Sequence, residues 1–147
     1  MKKGFGNSKQ NTSIKNKKSI YSKENIIKTA IKYHVEGNIE KAKKSYAYCI
    51  NNKIDDARIY TNYGLILKEI GKLKEAEIYQ NKAIKIKPNE AQLHVNLGVT
   101  QRALGKLEDA EISQRKAIEI NNKLVTAHYN LANILRDIGK SRESLES

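Results

Sequence analysis

The chain has 147 residues, with 28 Lys+Arg against 16 Asp+Glu for a formal net charge of +12, and contains a single proline and no tryptophan. That length suits one ordinary domain, and a charged fraction of 30 % suits helices with exposed faces. No run of about 18 apolar residues offers a membrane span and no apolar signal core opens the chain, so a cytoplasmic location is expected; the lone Cys49 excludes an internal disulfide.

Residues 1–22 form the first segment. They hold six lysines (2, 3, 9, 15, 17 and 18), no acids and few apolar groups. Such a stretch buries too little surface to offset its ordering entropy, and a disordered basic leader is expected. It supplies +6 of the +12, and clustered lysines suit nucleic acid or an anionic membrane surface through counterion release. No RNA-binding motif or aromatic platform accompanies the charge, which argues against nucleic acid. The abundance of Lys, Asn and Ile along the whole chain fits the composition of an AT-rich genome.

From Lys23 onward the chain repeats. Gly37, Gly71, Gly105 and Gly139 follow one another at 34-residue intervals (71 − 37, 105 − 71, 139 − 105). With column 1 at Lys23, the units are 23–56, 57–90, 91–124 and an incomplete 125–147. Column 8 is small throughout (Ala30, Gly64, Gly98, Ala132), as is column 20 (Ala42, Ala76, Ala110, Ser144), as needed where two helices approach closely. The glycines of column 15 each follow the last apolar residue of a first helix, helix A, where a left-handed turn into helix B is expected. Columns 14 (Ile70, Leu104, Ile138), 17 (Ile39, Leu73, Leu107) and 28 (Ile50, Ile84, Ile118) recur at helical spacing and are expected to face the interior. Cys49 shares column 27 with Ala83 and Ala117 and reads as a packing residue.

A 34-residue period of this kind resembles the tetratricopeptide repeat family. The second unit carries the pattern most fully, with Tyr60, Tyr63, Gly64, Ala76, Ala83 and Pro88; the third has Asn122 where the family has proline, and the first looks worn. The resemblance implies an all-α, right-handed solenoid of antiparallel helix pairs, about three and a half repeats long, that binds protein. The leader and first repeats also resemble the N-terminal part of bacterial multi-repeat proteins.

Catalysis, metal and cofactor find no support in the residue inventory. His94 and His128 both occupy column 4, in successive units roughly 10 Å apart at normal interaxial spacing, too far to share a metal. No Cys/His ligand cluster, phosphate-binding glycine loop or nucleophile elbow is present.

In this family helix A lines a concave groove, and the resemblance directs columns 6 and 12 into it. Column 6 is Lys28, Asn62, Asn96 and Asn130; column 12 is His34, Lys68, Arg102 and Arg136. Amides can bond a peptide backbone and cations can meet acidic side chains, so an extended, acidic peptide is the expected partner. The amides resemble the asparagine ladder of O-linked N-acetylglucosamine transferases. This raises the alternative of a substrate-recruiting module of a larger enzyme, of glycosyltransferase, sulfotransferase or oxygenase type; a surface binder acting through the leader is the other alternative. A clamp for chaperone tails is disfavoured, because Ile27, Ile31, Gln92 and Asn96 stand where its cations and amides belong. The fourth unit has Leu131, Leu135 and Ile138 to cover but only Arg142–Ser147 beyond its turn. An open end that frays or self-associates is expected there.

Overall fold

The computed structural model describes residues 8–146, with side chains from Ser22. Among them lie seven α-helices and no strand: α1 Ser8–Val35, α2 Ile39–Asn51, α3 Ala57–Glu69, α4 Leu73–Ile86, α5 Ala91–Ala103, α6 Leu107–Ile120 and α7 Val125–Glu146. They group into two compact units that meet in the chain between Ile54 and Asp55. The first pairs α1 with α2; in the second, α3 pairs with α4 and α5 with α6, α4 touches α5, and α6 touches α7.

The turns between A and B helices have one construction. At the end of α3, Gly71 has φ 80°, its N–H donates to Lys68 O at 3.0 Å, and the Lys72 N–H reaches back to Leu67 O at 2.8 Å. This double closure satisfies two carbonyls that a helix end leaves unpaired, and it needs a left-handed residue, which glycine supplies without a Cβ clash. Gly37 and Gly105 make the same turn. Helix starts are capped more variably. Asp56 caps α3 by accepting from the Arg58 N–H at 2.8 Å, and Asn38 caps α2 through Lys41 N at 3.3 Å.

Gly139 departs from this rule. It is not among the positive-φ glycines, and α7 passes through it without a turn. Among the described residues no B helix folds back on α7. Turning would therefore sacrifice helical hydrogen bonds with no packing in return, and glycine inside a helix costs only about 1 kcal/mol. Ala132 and Ser144, the columns that would meet across such a pair, are both exposed.

Of the leader, residues 1–22, the structure describes the backbone from Ser8. Residues 1–7 lie outside the described part, and from Ser8 the backbone is helical and runs unbroken into helix A of the first repeat. No Gly or Pro lies between Ser8 and Val35 to stop it.

The core is narrower than the apolar columns suggest. Columns 14, 17 and 28 are mostly half-buried and Ile70 is 44 % exposed, whereas the small residues Ala30, Ala42, Ala76, Ala83, Ala110 and Ala117 are fully excluded from water. Cys49 is buried with them. Column 24 is buried as well, although it holds Tyr46, Gln80 and Gln114. Gln114 explains Gly98: its Nε2 donates to Val95 O at 3.1 Å, and a Cβ on Gly98 would lie 2.3 Å from that nitrogen. The absent side chain leaves room for a buried amide that ties α6 to α5.

Candidate functional site

Column 6 places Asn62 on α3, Asn96 on α5 and Asn130 on α7. These three A helices touch in sequence, α3 to α5 and α5 to α7, and each asparagine is half-buried. Asn62 lines a small cavity of about 120 Å³ with Arg58, Thr61, Lys87 and Glu90. Asn96 already accepts at Oδ1 from Gln92 Nε2, 3.1 Å away on the preceding turn. Asn130 opens on a cavity of about 380 Å³ whose other walls are Val99, Ala103, Ile134, Arg102 and Asp137.

The basic row is modified by its surroundings. Arg102 donates from both Nε and Nη2 to Asp137 Oδ2, each at 2.7 Å, and the pair is more than half shielded from solvent. Its charge is therefore largely answered inside the molecule. Arg136 is exposed and donates to Asn133 Oδ1 at 3.0 Å. Lys68, in the last turn of α3, is half-buried. Lys28 is exposed on α1, and His34 sits edge-to-face on Tyr46 with centroids 6.1 Å apart, both in the first unit. Residues 55–147 carry 15 Lys+Arg and 13 Asp+Glu, a net of only +2, so most of the chain's charge lies outside the groove-bearing unit.

Asp137 was not singled out from the sequence. Arg102 and Asp137 are 35 residues apart, one repeat plus one, which brings neighbouring A helices side by side, but the column of Asp137 holds Val35, Glu69 and Ala103 in the other units and so announces no recurring acid there. A second cross-repeat pair, Lys106 Nζ to Glu77 Oε2 at 2.7 Å, joins α4 to the turn before α6, and the Glu77 carboxylate raises the lysine's pKa. At the start of α3, the Arg58 guanidinium hydrogen-bonded to Asp56 holds that carboxyl below its usual value against the opposing effect of burial.

The column-4 histidines are structural ties. His94 Nε2 lies 2.8 Å from Pro88 O, and His128 Nε2 lies 2.8 Å from Asn122 O. With the proton on Nε2, each ring donates to a carbonyl of the linker before its own helix; His94 is buried and His128 exposed. Among the described residues no three His, Cys, Asp or Glu gather as a metal site, and no helix is long and apolar enough to cross a membrane.

Residues 57–90 and 91–124 each match the tetratricopeptide repeat model. In shape the chain is similar to the first repeat domain of Spaghetti (RPAP3), solved with an HSP90 peptide: TM-score 0.74 at 20 % identity, over 80 % of this chain and 93 % of that one. It is similar to MamA, with TM-score 0.76 at 19 % identity over 88 % of this chain and 78 % of that one. The O-GlcNAc transferase of Thermobaculum terrenum gives TM-score 0.71 at 22 % identity over 79 % of this chain, but only 22 % of that one. No curated protein matches the chain in sequence. Two consecutive units, residues 57–90 and 91–124, thus match the tetratricopeptide repeat model, and the antiparallel helix pairs share the fold of solved tetratricopeptide domains.

Proposed function

We propose that the chain is a protein-interaction scaffold that holds an extended peptide segment along α3, α5 and α7. The observation that carries this reading is one residue type, asparagine, repeated at one column on three helices that touch in sequence and half-buried on each, with Asn130 opening on a cavity of about 380 Å³. Each free amide group can donate to a peptide carbonyl or accept from a peptide N–H, which holds a backbone without reading its sequence. The HSP90 peptide bound to the structurally similar Spaghetti domain supports a peptide as the ligand class. Lys68 and Arg136 are the cations that an acidic segment would meet, since Arg102 is paired with Asp137. The reading involves no catalysis and no cofactor.

A peptide library selected on the wild type tests this. The triple change Asn62→Ala, Asn96→Ala, Asn130→Ala should weaken the selected peptides by roughly 2–4 kcal/mol, at about 0.5–1.5 per net hydrogen bond, with helicity unchanged. Equal capture by both proteins would overturn the proposal. The similarity to the repeat region of an O-GlcNAc transferase favours a second reading, that the groove recruits substrate for a catalytic domain. A coding sequence that continues past Ser147 into such a domain is the observation that decides for it.

A further inference from the structure

The first and second repeats differ at one edge of the seam between their A and B helices. In the second repeat, columns 4, 7 and 23 are Tyr60, Tyr63 and Tyr79. Tyr63 meets Tyr79 edge-to-face with centroids 4.9 Å apart, and Tyr60 stacks on Tyr79 at 6.2 Å. Lys82 Nζ, from column 26, lies 4.9 Å from the Tyr79 centroid and 5.7 Å from that of Tyr60. Burial raises the pKa of both Tyr60 and Tyr63, as expected of rings sheltered by one another.

In the first repeat the same columns hold Ile26, Thr29 and Ser45, with Tyr48 at column 26. These residues and Lys44 line an open cavity of about 410 Å³, and Tyr48 is 54 % exposed on its rim. The helices do not need to close over the lost volume. Ala30 and Ala42 are fully buried at columns 8 and 20, as Gly64 and Ala76 are in the second repeat, so each pair is held together along its small-residue seam. Three rings fill this edge in one repeat; in the other, a hydroxymethyl and a β-branched hydroxyl leave it hollow.

We propose that this hollow is a binding site for an aromatic side chain presented by a partner protein, the ring lying between Ile26 and Tyr48 with the Lys44 ammonium at its rim. The second repeat shows which chemistry fits: a ring against rings, with a lysine over the face. An aliphatic group would fill space but forgo the ring–ring contact with Tyr48 and the attraction of the cation. The site lies wholly within the first unit and uses no residue of the asparagine groove, so it stands or falls independently of the scaffold reading.

The test is a titration of the full chain with N-acetyltyrosinamide, followed by amide shifts in an NMR spectrum, with N-acetylleucinamide as comparison. Saturable shifts should centre on Thr29, Ser45 and Tyr48, with the tyrosine probe about two- to tenfold tighter than the leucine probe, the worth of one aromatic pair. Ser45→Tyr places the counterpart of Tyr79 in the hollow and should abolish the shifts while circular dichroism stays unchanged. Tyr48→Ala, at an exposed position, should weaken the tyrosine probe by the same two- to tenfold and serves if the first variant fails to fold. Absent or non-saturating shifts, equal response to the leucine probe, or indifference of the shifts to a folded variant would each overturn the proposal.

Discussion

Gly98→Ala should destabilise the protein even though alanine is the better helix former. The added Cβ would lie 2.3 Å from Gln114 Nε2, 3.1 Å from its Cδ and 3.1 Å from Ala110 O. The Gln114 amide must leave, which breaks its bond to Val95 O and strands a group that is fully buried. Overpacking costs about 1–3 kcal/mol and the lost bond about 1 more, against a gain of about 1 from helix propensity. The net loss is roughly 1–3 kcal/mol; at about 2–4 °C per kcal/mol for a chain of this size, the melting temperature should fall by several degrees. Gly64→Ala is the control. Its Cβ would meet Gln80 Cγ at 3.1 Å and Ala76 O at 3.4 Å, contacts that a small shift relieves, so its effect should stay within about 1 kcal/mol of zero. A double-mutant cycle with Gln114→Ala, read by urea denaturation, isolates the cause. With the amide removed, Gly98→Ala should become neutral or stabilising, a coupling of at least about 1 kcal/mol. A Gly98→Ala protein as stable as wild type, or a cycle with no coupling, would refute the account of why glycine stands there.

Gly139→Ala should stabilise by about 0.5–1 kcal/mol, since its Cβ meets nothing within 4 Å and α7 is helical at that point, whereas Gly71→Ala, at φ 80°, should destabilise; thermal melts that rank the two the other way contradict a continuous α7. Asp56 has its folded pKa lowered by Arg58, so its contribution is present at neutral pH and lost as pH falls through the folded value, below about 3.9. Asp56→Asn keeps a capping acceptor but not the charge, and should cost about 0.5–1 kcal/mol at pH 7 and nothing near pH 2; stability curves parallel over that range would count against the ion pair. Asp137→Asn frees Arg102, so stability should drop by about 1 kcal/mol while acidic peptides bind the groove more tightly and with steeper salt dependence; unchanged salt dependence would mean that Arg102 does not face the ligand.

Much of the fold was legible because the repeat states each requirement several times. One glycine after an apolar residue is weak evidence of a helix end, but the same glycine at 34-residue intervals, flanked by small columns 8 and 20, specifies helix pairs and their seam. The candidate groove was legible only as a row of residue types. That Asn62, Asn96 and Asn130 share a column follows from counting; that Asn96 is engaged by Gln92 and that Arg102 is neutralised by Asp137 does not. Both partners are polar residues in columns that vary from unit to unit, so no periodicity announces them. The same reason hid column 24: Gln80 and Gln114 read as surface residues but are buried, and for Gln114 it is the glycine at column 8, Gly98, that leaves the space its amide enters.

The sequence by itself determined helix, turn and repeat, since these depend on local conformational preference and on apolar spacing within a few turns of one chain. Tertiary structure decided which charges remain available and where the chain does not turn. Arg102 meets Asp137 only once neighbouring A helices lie side by side, 35 residues apart in the chain. Gly139 stays helical although its column calls for a turn, because the left-handed conformation is held by the packing of a following helix B, and among the described residues none packs against α7.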